Sequence, residues 1–461
     1  MTEQTQLKEN KMGVLPIGKL LVNISLPIII SMTVQALYNI VDSMFVSQIS
    51  EQALTAVSLI FPMQNLIISI AAGTAVGFNA LISRALGAKE YSRANRVAQH
   101  AIFLTVLSTA IVAAVMMLLS DPFVTLQTTD PMIRDDAILY MRICCGVCIG
   151  IFFSITLERL LTSTGKTVYT MIGQLTGAIT NIIMDPVLIF GLGPFPKMGI
   201  AGAAWATVLG QCLGAVLDLI FNIRVNKEIS LSMKGFRPEG ALISEIYRIA
   251  VPSIIVQSIG SVMTFGMNLI LMQYLKNSTA AAVFGVYFKL NSIFFMPVFG
   301  LNNGLVPIVA YNYGAGYRKR IIHARRLGTN AAVVIMAVGT AIFWLMPKEL
   351  LGIFNASDNM LAIGEPALRI ISLSFPFAGY CISTSSVMQA LGSAFYSMIN
   401  SLTRQLIILL PSAFILAAMF RREGGLPAIW FSFLIAEAAS VIMITALYRK
   451  VYRQKIAALP G

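Results

Sequence analysis

Gly165-Lys166-Thr167-Val168-Tyr169-Thr170-Met171-Ile172 returns late in the chain as Gly392-Ser393-Ala394-Phe395-Tyr396-Ser397-Met398-Ile399. Glycine, tyrosine, methionine and isoleucine keep their register, and the shift from 165 to 392 is 227 residues. Working outward, Gly87-Ala88 recurs as Gly314-Ala315 and Ser25-Leu26-Pro27 as Ala250-Val251-Pro252, while Gly199 through Trp205 aligns with Gly425 through Trp430 within a residue. The shift stays near 225 to 227 residues throughout, so the chain is one unit written twice.

The repeated unit is a membrane unit. Of 461 residues 57% are hydrophobic and only 11% charged, with mean hydropathy +0.79, against about 25% charged in a soluble domain. Runs of about 20 apolar residues, the length that crosses a bilayer, predict twelve helices. They cover Leu20 to Ile49, Ala53 to Ser83, Val97 to Ser120, Ala137 to Ser163, Val168 to Leu192, Gly199 to Ile223, Glu245 to Tyr274, Thr279 to Tyr311, Thr329 to Met346, Glu365 to Leu391, Ala394 to Phe420 and Gly425 to Tyr448. With six spans per repeat the two halves share one orientation, giving parallel repeats about an axis along the membrane normal, with a substrate cavity expected between the lobes. The expected fold is an all-α polytopic membrane protein. It comprises an N-terminal tail (1–19), an N-lobe (20–223), a linker (224–244), a C-lobe (245–448) and a C-terminal tail (449–461).

Charge sets topology. The net charge of +13 is spread over short loops, with Arg84, Lys89, Arg93 and Arg96 in one and Arg318, Lys319, Arg320, Arg325 and Arg326 in another. It is not gathered on one face as nucleic-acid binding requires. By the positive-inside rule these loops, the linker and both termini are cytoplasmic. The opposite loops carry Glu51, Asp121, Asp130, Asp135, Asp136, Glu349 and Asp358, with Arg421 and Arg422 as the exception and sequons at Asn277 and Asn355. Cys144, Cys145 and Cys148 sit in an apolar helix and read as packing residues. Thr162 through Thr167 imitates the end of a P-loop, but Leu160 stands where its first glycine belongs, so no nucleotide site follows. His100 and His323 lack partners at metal-ligand spacing and read as solvated.

Five of the twenty acids fall inside spans away from their first residues: Asp42, Glu158, Asp185, Asp218 and Glu437. A carboxylate at mid-bilayer costs roughly 2.5 to 3.5 kcal/mol on insertion scales, so each is a candidate for ion handling. Gln35, Tyr38, Asn39 and Asp42 follow i, i+3, i+4, i+7 spacing and make one polar stripe. Gly173, Gly177, Asn181 and Asp185 share a face of the fifth span, where small residues admit a close neighbour. Pro186 frees the Ile182 carbonyl. Asp42 and Asp185 lie at similar depth, and in one pocket burial and repulsion favour a proton on at least one of them. Oxygen ligands suit H+ or Na+ and no transition metal. Glu158, beside Arg159, reads equally as a paired end residue or a second proton site, and Asp218 as a snorkelling end residue. Lys289 and Arg404 are the two candidates to neutralise Glu437. The repeat counterparts of Asp42, Asn181 and Asp185 are Met267, Ile408 and Ser412, so the acidic site was not duplicated.

With its six-plus-six repeat, Ser25-Leu26-Pro27, Gly87-Ala88-Lys89, Asn181-Ile182-Ile183-Met184-Asp185-Pro186 and Gly199 through Thr207, the chain resembles the multidrug and toxic compound extrusion (MATE) transporters. It is nearest the bacterial DinF-type and MepA-like branch. The resemblance implies the MATE fold and export of diverse, often cationic lipophilic compounds by antiport with H+ or Na+ through alternating access. It also implies a bacterial inner-membrane location, no enzymatic activity, no cofactor and a monomer in the lipid bilayer. It assigns ion coupling, with a place for Na+, to Asp42, Asn181, Asp185 and Thr207. Gln35, Tyr38, Asn39 and Glu158 become candidate substrate or proton residues, with hinges at Pro27 and Pro186. The alternative is a flippase for lipid-linked oligosaccharides, whose pyrophosphate would demand a basic cavity.

Overall fold

The computed structural model describes residues 10–128, 130–275, 277–354, 357–420 and 426–459. Arg421, Arg422, Gly425 and Asn355 of the second sequon lie outside them. Among the described residues eleven helices and one bent pair are long and apolar enough to cross a membrane, matching the twelve expected spans. They are α1 (Ile17–Ser47), α2 (Gln52–Gly87), α3 (Tyr91–Thr125), α4 (Pro131–Ser163), α5 (Thr167–Phe190), α6 (Ile200–Arg224), α7 (Gly240–Met272), α8 (Thr279–Gly314), α9 (Arg318–Leu345), α10 (Asp358–Ser372 and Phe375–Ala390, bent by 45°), α11 (Ala394–Met419) and α12 (Pro427–Ile456). The repeated glycine of the opening segment has a backbone reason. Gly165 and Gly392 take φ of +79° and +71° at the start of α5 and α11, where a side chain would meet its own backbone.

The helices outrun the apolar spans at their basic ends. α9 begins at Arg318, eleven residues before the expected Thr329, because a helix need not stop where the hydrocarbon does. The bilayer limits only its apolar stretch.

The chain forms two compact units, one of Met1–Leu15 with Ile30–Ile254 and the other of Pro16–Ile29 with Ile255–Gly461. The first halves of α1 and α7 therefore belong to the unit opposite their second halves. Both crossovers fall two residues after a proline, Pro27 and Pro252, which are repeat-related. Each borrowed half-helix lies on a glycine pair. In the first unit a Cβ on Gly73 would come within 2.6 Å of Ile254 N, and one on Gly77 within 2.9 Å of the Ile246 carbonyl oxygen. In the second, a Cβ on Gly300 would come within 2.8 Å of Ile29 Cα, and one on Gly304 within 3.0 Å of Ser25 Cα. Gly73 and Gly77 map onto Gly300 and Gly304 at the same shift of 227 residues. Both are small-xxx-small contacts in which backbones touch.

Within the second unit, Arg404 neutralises Glu437, with Nη1 2.6 Å from Oε1, whereas Lys289 Nζ lies 5.9 Å from the Phe354 ring centre. Arg404 stands at the repeat position of Gly177, on a π-helical segment, Thr403–Leu409. His100, expected in solvent, is 1% exposed. Its Nε2 accepts from the Glu239 N–H at 2.9 Å and its ring meets Phe236 edge-on, so the linker covers it. His323 is exposed.

Gly73→Ala forces backbone apart and is expected to destabilise by about 1–3 kcal/mol. Gly285→Ala, on the same kind of helix but with nothing within 4 Å, is expected to be neutral or to stabilise by roughly 0.5–1 kcal/mol. Thermal unfolding of the two purified variants checks the contrast.

Candidate functional site

The polar stripe of α1 and the small-residue face of α5 meet inside the first unit. The Asp42 and Asp185 carboxyls lie within hydrogen-bonding reach of each other. Asp185 is wholly buried and Asn181 is 2% exposed, while Asp42 Oδ1 and Asp185 Oδ1 are buried without a donor among the described residues. An oxygen-to-oxygen contact of two carboxyls needs something positive between them, and a proton is the smallest such thing.

The approach of α6 to α5 makes the rest of the cluster. A Cβ on Gly210 would fall 2.6 Å from the Gly177 carbonyl oxygen, and one on Gly177 2.9 Å from that of Gly210. This backbone contact sets Thr207, one turn before Gly210, beside Asn181. The two ends of the Asn181 amide lie 3.2 Å from Asp185 Oδ2 and 3.3 Å from Thr207 Oγ1. With nitrogen toward Asp185, the amide donates to the carboxylate and its oxygen accepts from Thr207, which satisfies both ends. With oxygen toward Asp185, two acceptors face each other, an arrangement that only a cation would favour. The oxygen-rich set has the chemistry to hold a proton or a hard cation such as Na+. Among the described residues no group of three or more His, Cys, Asp or Glu could hold a metal.

Around the pair, the Tyr38 hydroxyl bonds to Gln35 and lies close to Asp42 and Asp185. Asn39 is exposed on α1, its carbonyl accepting from Ser43 Oγ at 2.9 Å. Pro186 leaves α5 helical as far as Phe190, and Gly191 ends the helix at φ 74°. Three neighbours had no signature in the sequence. Gln64 Nε2 on α2 donates to the Tyr140 hydroxyl on α4 at 3.4 Å, Tyr140 bonds to Cys144, and both Tyr140 and Cys144 lie near Asp42. A tyrosine and a cysteine in an apolar run look like packing, and only the third dimension places them against an acid.

Glu158 does not join this cluster. It is 5% exposed, toward the other end of the unit, and accepts from Gln174 Nε2 at 2.6 Å. Asp218, expected to snorkel, is 0% exposed. Gly173 leaves room for its carboxyl beside α5, so the side chain turns inward.

The MatE family model matches residues 27–187 and again 252–415. The chain belongs to the MatE family. The two matches start at Pro27 and Pro252, the prolines of the two crossovers, so the family unit is the repeat itself. Multidrug export protein MepA of Staphylococcus aureus is 26% identical over 442 residues, covering 94% of each chain. The MepA of Staphylococcus haemolyticus is 25% identical over 428 residues, 93% of this chain and 92% of that one. A solved structure, described as the outward-facing conformation of a multidrug resistance MATE family transporter of the MOP superfamily, superposes with TM-score 0.90 at 24% identity over 98% of each chain. The fold of this MatE protein is therefore the MATE fold.

Asn181→Ala removes the donor to Asp185 and is expected to destabilise by about 1–3 kcal/mol, the cost of stranding a buried acceptor. In the Asp185→Asn background the same change is expected to cost less, with a coupling of roughly 0.5–3 kcal/mol between the two. A double-mutant cycle on thermal unfolding measures it.

Proposed function

We propose that this protein exports diverse small organic compounds, lipophilic cations among them, by antiport with H+ or Na+ through alternating access of its two lobes. The carrying observation is the contact of Asp42 and Asp185, completed by Asn181 and Thr207: a carboxyl pair buried in an apolar bundle must take up and release a positive ion as its surroundings change. The naming of the Staphylococcus relatives as multidrug exporters supports the substrate class. Loading H+ or Na+ draws the carboxyls together, and release leaves two charges that repel. That difference in ion affinity between states is what drives a conformational change.

In this reading the basic loops face the cytosol, the protein sits as a monomer in a bacterial inner membrane, Pro27 and Pro186 act as hinges, and no chemical reaction is catalysed. Gln35 and Tyr38 line the approach to the pair. A flippase for lipid-linked pyrophosphates is less well supported, because the buried cations Arg404 and Arg159 each already stand beside an acid, Glu437 and Glu158.

Reconstituted vesicles with an imposed pH or Na+ gradient test the proposal. Asp42→Asn and Asp185→Asn are each expected to bring gradient-driven efflux down to the protein-free level with membrane expression unchanged. Efflux persisting in both variants refutes the assignment.

A further inference from the structure

Asp218 and Glu158 form a second buried acidic group in the first unit, away from the Asp42 and Asp185 pair. Along α5 the two groups are separated by the twelve residues from Gly173 to Asp185, or about 18 Å at 1.5 Å per residue. Asp218 is 0% exposed and neither of its carboxyl oxygens has a hydrogen-bond partner among the described residues. Its carboxyl is packed against the bare Cα of Gly173 on α5 and lies close enough to Glu158 on α4 for the two charges to interact. Gln174, next to Gly173, holds the other acid by its 2.6 Å bond to Glu158 Oε2.

The charged groups acting on the two acids are each other and Arg159, which is 8% exposed beside Glu158. One cation cannot compensate two carboxylates, and a carboxylate with no donor on either oxygen is among the costliest things to bury. A structural role would call for donors, which are missing here, whereas a site that holds a proton in one state and gives it up in another needs only a way out.

A polar route runs beside the buried acid. Asp218, Asn222 and Asn226 stand at i, i+4 and i+8 along α6 and the turn that follows it. Asn222 Nδ2 donates to the Asp218 carbonyl at 2.8 Å, and Asn226 Nδ2 to Asn222 Oδ1 at 3.0 Å. Lys166 Nζ donates to Asn226 Oδ1 at 3.1 Å and pairs at 3.3 Å with Glu228, the two side chains being 19% and 22% exposed. Lys11 completes this outlet. Burial pushes its ammonium below the usual lysine value, Lys166 adds to the effect and Glu228 opposes it. The polar ladder starts at the Asp218 backbone carbonyl, beside the buried carboxyl and not bonded to it, and runs to the end of the unit where the basic loops lie.

We infer that Asp218, with Glu158, is a second proton-exchange site of this protein, opening along the Asn222 and Asn226 ladder toward the basic-loop side. Its existence rests on this geometry, and its role, discharge of the coupling proton to the cytosol, rests on the antiport reading above. The repeat counterparts of Glu158 and Asp218, Ser385 and Met443, are uncharged, so this site too is confined to one half.

Two measurements on the full chain test it. Infrared difference spectra of the reconstituted Asp42→Asn/Asp185→Asn protein across a pH titration are expected to keep a protonated-carboxyl carbonyl band that appears and disappears with pH, and to lose it when Asp218→Asn is added. No titrating band, or one indifferent to both Asp218→Asn and Glu158→Gln, overturns the inference. In vesicles of otherwise wild-type protein, Asp218→Asn is expected to slow gradient-driven export severalfold and to flatten its dependence on pH at the basic-loop side, while substrate-for-substrate exchange continues. Export and its pH dependence unchanged in both variants also overturn it. If wild-type vesicles show no gradient-driven export while the infrared band behaves as expected, the antiport reading fails and the proton site stands.

Discussion

Two carboxyls brought into contact inside an apolar bundle need a positive ion between them, and much of the first unit is arranged around that need. Asp42 and Asp185 come from helices far apart in sequence, so their contact requires α1 to approach α5, on which α6 packs closely. The Gly177 to Gly210 backbone contact supplies that closeness and sets Thr207 against Asn181. A larger residue at either glycine would widen the gap, and the amide could no longer reach both the carboxylate and the hydroxyl. In the second unit the repeat position of Gly177 is Arg404, held by Glu437. There an ion pair takes the place of backbone contact, and its charge is already satisfied. The repeat preserved the architecture while the chemistry diverged.

The sequence disclosed what depends on pattern. Apolar length gave the twelve spans, and recurrence from Gly165 to Gly392 gave the two halves, because both are properties of position along the chain. The i, i+4 logic of Asn181 and Asp185 was legible for the same reason. Side-chain direction was not. Asp218 lies six residues from the helix end at Arg224, which suits snorkelling, yet the absence of a side chain at Gly173 gives it somewhere to go within the bundle. His100 had no sequence partner because its partner is a backbone N–H of the linker, from Glu239. Tyr140 and Cys144 offered nothing unusual in composition and became part of the site only through the packing of α4. The glycine pairs at 73 and 77 and at 300 and 304 were visible as letters, but which half-helix each would hold depends on a crossover that periodicity does not encode.

That crossover also bears on α1, the helix that carries Asp42. α1 carries Asp42 in the first unit and Ser25 in the second, where the Ser25 hydroxyl donates to the Leu301 carbonyl at 3.2 Å. Between them lies Pro27, which has no backbone N–H to contribute to the helical ladder. A helix that belongs to two compact units cannot shift at one end without a strain at the other, unless it bends where its hydrogen-bond ladder is weakest. Bending at Pro27 would let α1 respond to an ion at Asp42 while Ser25 stays fixed on Gly304, and α7 has the same construction in mirror role, with Pro252 before its crossover and Ile254 on Gly73. Only α1 carries an acid beyond its proline, since the counterpart of Asp42 is Met267. The fold thus supplies two repeat-related helices with a proline before each crossover, and the sequence places an acid beyond the proline in only one of them, which under the proposed antiport makes α1 the element an ion at Asp42 would act on.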